Sequence, residues 1–87
     1  MAQQSMEIYP GVTVDPGVRF GKPCLKGTRI DVATVVSALA AGESMDAVQE
    51  NYVLSLQQVL DALGYVAHVA RHLPPALMKA SSLTPLS

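Results

Sequence analysis

The chain has 87 residues, 49% of them hydrophobic and 15% charged, with a net charge of −1 at pH 7. A chain of this size makes one small domain, and so apolar a composition predicts that part of its surface faces another subunit. The balanced charge carries no global signature of nucleic-acid binding, the lone Cys24 excludes an internal disulfide framework, and no apolar run nears the ~18 residues of a membrane span.

In chain order the sequence reads in three parts. Residues 1–10 form a polar arm, expected to be loose in an isolated monomer, before Pro10 and Gly11 break the chain. The start, MAQQSMEIYP, has no basic region followed by an apolar core, so a soluble, cytoplasmic protein is expected. Residues 11–73 are read as the single folded domain. In its glycine-rich first part, short β-branched or apolar runs lie between turn signals: VTV at 12–14, VRF at 18–20 and CL at 24–25. They predict a small antiparallel meander or hairpin.

From Asp31 the period becomes helical. Val32, Val35, Val36 and Leu39 fall on one face, Asp31 suits the N-terminus, and Gly42 ends the helix. Ser44 can cap a short second helix with Met45, Val48 and Tyr52 inward. Ser55-x-x-Gln58 is a capping-box pattern that opens a third helix, and Pro74-Pro75 terminates it. Its predicted core stripe is Leu56, Val59, Leu60, Leu63, Val66 or Ala67, and Ala70. A second, semi-apolar stripe of Tyr65, Val69 and His72 reads as a dimer or partner interface, most simply a twofold helix–helix contact; the alternative is that the folded-back tail covers it. Residues 74–87 have no clear period and are expected to be a flexible tail.

The second and third helices, joined by a turn of about three residues, have helix-turn-helix length. In that motif the start of the second helix enters the major groove, where Gln57 and Gln58 would meet base edges. A plain three-helix cluster with solvated glutamines is the other reading. Four basic residues, Arg19, Lys22, Lys26 and Arg29, lie within 11 positions with no acid among them. They can bind phosphate, or simply keep a hairpin edge soluble. Arg29 has a third reading: at a strand-to-helix junction it can bond carbonyl groups or an acid such as Asp15. His68 and His72, four apart, lack the further ligands of a zinc site, and Cys24 reads as a small buried apolar residue. No acid pair or triad stands out, so neither an enzyme nor a cofactor or metal is expected.

The segments VDPGVRFGKPCLKGTRIDV, VVSALAAGESMDAVQENY and LSLQQVLDALGYVAH resemble the family known as domain of unknown function 433, over about residues 12–70. The matching positions are Gly21, Lys22, Pro23, Gly27, Thr28, Arg29, Ile30, Gly42, Tyr52, Leu56, Leu63 and Tyr65; Asp31 departs, since the family commonly has proline there. The resemblance implies a helix-turn-helix or winged-helix module and a VapB-like antitoxin of a type II toxin–antitoxin pair, beside a PIN-like nuclease toxin. The combined expectation is a mainly α, three-helix, helix-turn-helix (winged-helix-like) domain with a small N-terminal β-hairpin or meander. It would act as a homodimeric, DNA-binding antitoxin, with a dimeric protein-interaction module lacking DNA binding as the alternative.

Overall fold

A computed structural model describes residues 5–72; the reading of 74–87 as a tail lies outside them. The domain is mainly helical with a small sheet at its N-terminal end. Strands β1 (Met6–Tyr9), β2 (Val12–Val14) and β3 (Cys24–Leu25) form an antiparallel sheet in the order β1-β2-β3. Helices α1 (Val32–Ala40), α2 (Met45–Tyr52) and α3 (Leu56–Arg71) follow.

β1 lies inside the segment read as a loose arm. It pairs Met6 with Val14 and Glu7 with Thr13, then bulges so that Tyr9 faces Val12. Three of its four residues are exposed, so no apolar alternation marked it in the sequence. Its turn is locked at Pro10-Gly11, where Gly11 has φ +84° and donates its amide to the Glu7 carboxylate at 2.9 Å. A side chain at Gly11 would also collide with the Asp61 carboxylate of α3, so the hairpin tip fits against α3 only with glycine there.

VRF is not a strand. The Asp15 carboxylate accepts from the Gly17 amide and the Asp15 carbonyl from the Val18 amide, each at 2.9 Å, which closes a tight turn. The chain then makes a 3-10 turn over Arg19–Gly21, with Arg19 at φ +51° and Phe20 at φ +58°.

The helix boundaries follow their local signals. The Asp31 side chain accepts from the Thr34 amide and caps α1; Ser44 accepts from Ala47 and caps α2. Ser55 and Gln58 form the reciprocal capping box of α3, at 3.1 and 2.8 Å. Gly42, at φ +102°, follows the end of α1. The α2–α3 turn has no glycine: Val53 takes the left-handed position at φ +55°.

The core is small and rich in valine. Val12, Leu25, Val35, Val48 and Val59 are fully buried, joined by Val32, Ala38, Leu54 and Ala62. Each fully buried valine or leucine contributes roughly 1.5–3 kcal/mol. The stripe that α3 gives to this core overlaps the predicted one at Val59 and otherwise departs from it. Val59 and Ala62 are buried, with Tyr65 packed against them, whereas Leu56, Leu60 and Val66 are exposed.

Candidate interaction surface

The four basic side chains do not form one free patch. Arg19 reaches the Asp31 carboxylate, Nη2 to Oδ2 at 3.6 Å, and Lys26 reaches Glu7 at 3.1 Å. Lys22 and Arg29 make no ion pair among the described residues. Arg29 is exposed, and the junction it was expected to brace is held by its neighbour. The Thr28 hydroxyl donates to the Leu25 carbonyl at 2.8 Å and accepts from the Ile30 amide at 3.0 Å. Among the described residues, Thr28 holds the turn and Arg19 makes the charge pair at this junction.

Asp31 is the centre of this junction. It is buried, its backbone bridges to Cys24, and its carboxylate also takes the Thr34 hydroxyl. The Thr34 hydrogen bonds, with the Arg19 and Lys22 charges behind them, hold its carboxyl below the usual range despite burial. Glu7 is lowered as well, first by the Gly11 amide and then by Lys26. Burial, aided by the Asp31 charge, pushes the Cys24 thiol up; the thiol donates to the Lys22 carbonyl at 3.4 Å.

Beside Asp31 lies an open groove of about 570 Å³, lined by Arg19, Lys22, Asp31, Thr34, Glu43 and Tyr52 among others. Two cations and two carboxylates share it, so it is no simple anion site. A second, apolar groove of about 340 Å³ runs between Pro23, Val32 and Ala33 on one side and Tyr65 and Val66 on the other.

At the start of α3, the two glutamines have work within the helix. The Gln58 carboxamide oxygen is used by the capping box, and Gln57 donates to Asp61 at 2.8 Å. What remains for an outside partner is the exposed flank of Gln57 and the amide nitrogen of Gln58.

The predicted interface residues are divided. Tyr65 is half-buried, with the Tyr9 ring meeting it edge-on at 5.8 Å between centroids. Tyr9 lies over Gly64, where an added Cβ would sit 3.0 Å from its hydroxyl, and it also meets His68 at 5.2 Å. His72 packs on His68 at 4.3 Å and its Nδ1 donates to the His68 carbonyl at 2.8 Å. Val69 is exposed. Among the described residues, no three His, Cys, Asp or Glu side chains stand close enough to hold a metal, and no helix is long and apolar enough to cross a membrane.

Two exposed features escaped the sequence reading. Phe20 is 96% exposed at the tip of its left-handed turn, and Val53 is 88% exposed. The bracketing Gly17 and Gly21 were the available signal for the first.

The model of the family described as "Protein of unknown function (DUF433)" matches residues 12–66. A Mycobacterium tuberculosis protein named "Putative antitoxin VapB45" is 36% identical over 56 residues, 64% of this chain and 23% of its own length. "Uncharacterized protein Rv2308" of the same organism is 30% identical over 57 residues, 66% of this chain and 24% of its own length. The chain thus spans about a quarter of these relatives. The crystal structure of Rv2018 from Mycobacterium tuberculosis aligns with a TM-score of 0.55 and 36% identity, over 60% of this chain and 24% of that one.

Proposed function

The chain belongs to the DUF433 family of proteins of unknown function, and from that membership we propose that it is an antitoxin-like regulator that acts by binding and not by catalysis. The observation that carries this reading is the 36% identity to a relative named as an antitoxin. In the cytoplasm it would bind and neutralise a PIN-like nuclease toxin, and as a homodimer it would bind duplex DNA.

Phosphate contacts in this reading fall first to Lys22 and Arg29, whose charges are unpaired among the described residues. Arg19 and Lys26 are each half-exposed or more, and add theirs by exchanging a carboxylate for a phosphate. Gln57 and Gln58 are the base-facing residues only if the start of α3 enters a groove. Tyr65, Val69 and His72 remain the interface side chains of this reading.

A second reading, a dimeric protein-interaction module without DNA binding, draws support from the same pairs. Two of the four cations are already partnered, and Asp61 stands where phosphate would approach α3. Titration of duplex DNA with the chain across a range of salt decides between them. The regulator predicts affinity that falls steeply with salt, by a slope of about 0.9 per phosphate neutralised, and a double Lys22→Ala, Arg29→Ala variant with a slope lower by about 2. Absence of affinity at low salt removes the DNA half of the proposal. Co-expression with a nuclease encoded beside it, scored by growth rescue and a stable complex, tests the toxin half.

A further inference from the structure

Helix α3 carries an apolar strip that the described part of the domain leaves open. Leu56 and Leu60 are 49% and 44% exposed, Leu63 is half-buried, and Ala67 and Ala70 are exposed. Their spacing is 4-3-4-3, the spacing of a helix–helix seam. Elsewhere on the helix Val59 and Ala62 meet the core, Gly64 lies under Tyr9 and Asp61 lies against Gly11, while Val66 and Val69 are exposed beside the strip. No charged side chain interrupts the strip.

The geometry points to a second copy of this chain as the occupant, with two α3 helices packed antiparallel about a twofold axis at Leu63. The order of side-chain sizes along the strip carries the argument. Leucines fill its N-terminal half and alanines its C-terminal end. Antiparallel pairing sets Leu56 on the partner's Ala70, Leu60 on the partner's Ala67, and Leu63 on the partner's Leu63. Every large residue then meets a small one or its twin, and the seam fills at uniform depth. Parallel pairing would set leucine on leucine at one end and leave alanine facing alanine across a gap at the other.

The inference rests on the dimeric half of the function proposed above, and it narrows the DNA half. Packed helices lie about 8–10 Å apart, whereas successive major grooves on one face are about 34 Å apart. Two α3 helices joined by this seam cannot each enter a groove, so DNA contact passes to the basic segment. A 16-residue helix is about 24 Å long. A contact of that length is small for a specific interface, so a dissociation constant of about micromolar size is expected.

Sedimentation velocity on the 87-residue chain, from about 1 to 100 µM, tests the seam. Leu60→Asp is expected to weaken association roughly tenfold or more with the helical circular dichroism retained, because Leu60 is outside the core. Val69→Asp, on the face that the function proposed above gives to a dimer or a partner, is expected to weaken association less than Leu60→Asp does, because Val69 is off the seam. Disulfide trapping reads the register without relying on a destabilised variant. Leu63→Cys should link to itself, and Leu56→Cys should link to Ala70→Cys when mixed, while neither of those links alone; the buried Cys24 stays out of the reaction. A dimer that Val69→Asp separates and Leu60→Asp does not overturns the seam but leaves the dimeric reading. A chain that is monomeric at every concentration overturns both. Self-linking of Ala70→Cys overturns the antiparallel register. Association that appears only after residues 73–87 are removed assigns the strip to that segment and overturns the proposal.

Discussion

Val53 closes the turn between α2 and α3 at φ +55°, a conformation that a β-branched residue adopts at a cost of about 1–2 kcal/mol. Its side chain is 88% exposed, so it recovers little of that cost by packing. Val53→Gly should therefore be stabilising even after glycine's extra entropy loss, by up to about 1 kcal/mol, read as a Tm higher by roughly 4–8 °C. Asp31 has the opposite balance. Its removal as Asp31→Ala takes away the α1 cap and the partner of Arg19, and should cost about 1–2 kcal/mol at neutral pH. The acid response has a definite sign. The folded-state pKa of Asp31 is depressed, so the unfolded chain binds its proton first as pH falls. The stabilisation is complete above the unfolded carboxylate range and is lost as pH drops through the lower, folded value. Denaturant midpoints followed from neutral pH to acid should fall more steeply for the wild type than for Asp31→Asn, which keeps a capping oxygen but no charge. The caps themselves were legible in the sequence, because Ser44, Ser55 and Gln58 each bond within three residues of themselves. The Asp31 ion pair was not, because Arg19 reaches it from 12 positions away through a left-handed turn, and Arg29 stood closer in sequence.

At the scale of elements, the informative contact is between the hairpin and α3. Tyr9 crosses the helix at Gly64, and Asp61 sits against Gly11. Gly64→Leu should expel Tyr9 from its place beside Tyr65 and His68. Amide exchange should then speed up at Glu7–Tyr9 while α1 and α2 keep their protection, which hydrogen-exchange mass spectrometry resolves. All three helices and the strands β2 and β3 were readable from period, caps and turn glycines. β1 was not, because it is held by backbone pairing, by the Tyr9 ring and by the Glu7 carboxylate, which bonds Gly11 and Lys26 across the chain. The inner face of α3 was misjudged for a related reason. Two apolar arcs lie side by side on that helix, and the arc of larger leucines was read as the core. Of the predicted stripe the sheet and the two short helices bury Val59, and they add Ala62 from the neighbouring arc, leaving Leu56 and Leu60 outside.

For the whole molecule, the composition and the structure agree that apolar surface is left over: Leu56, Leu60, Val66 and Val69 all remain exposed along one helix. If that surface is the seam proposed above, mass action makes stability a function of concentration. The Tm of the wild type should rise as the chain is concentrated from about 1 to 100 µM, and that of Leu60→Asp should stay level. The family was legible through the ordered motifs from Gly21 to Tyr65. The basic cluster in which they begin looked freer in the sequence than it is, since Glu7 and Asp31, which neutralise half of it, lie outside the cluster. Cys24 adds one more property. It is the chain's only thiol, it is buried, and it is pinned between Thr13 of β2 and the bridge to Asp31. It is only 3% exposed, beside a small pocket lined by Thr13, Asp15, Val18 and Thr28, so its reaction with a soluble reagent reports the opening of this junction, and the molecule carries its own clock for that event. Under conditions where reclosing outpaces modification, its rate of reaction with an aromatic disulfide measures the free energy of the opening. That rate should quicken in Asp31→Ala, which unties the junction, and hold steady in Gly64→Leu, which frees only the outer strand.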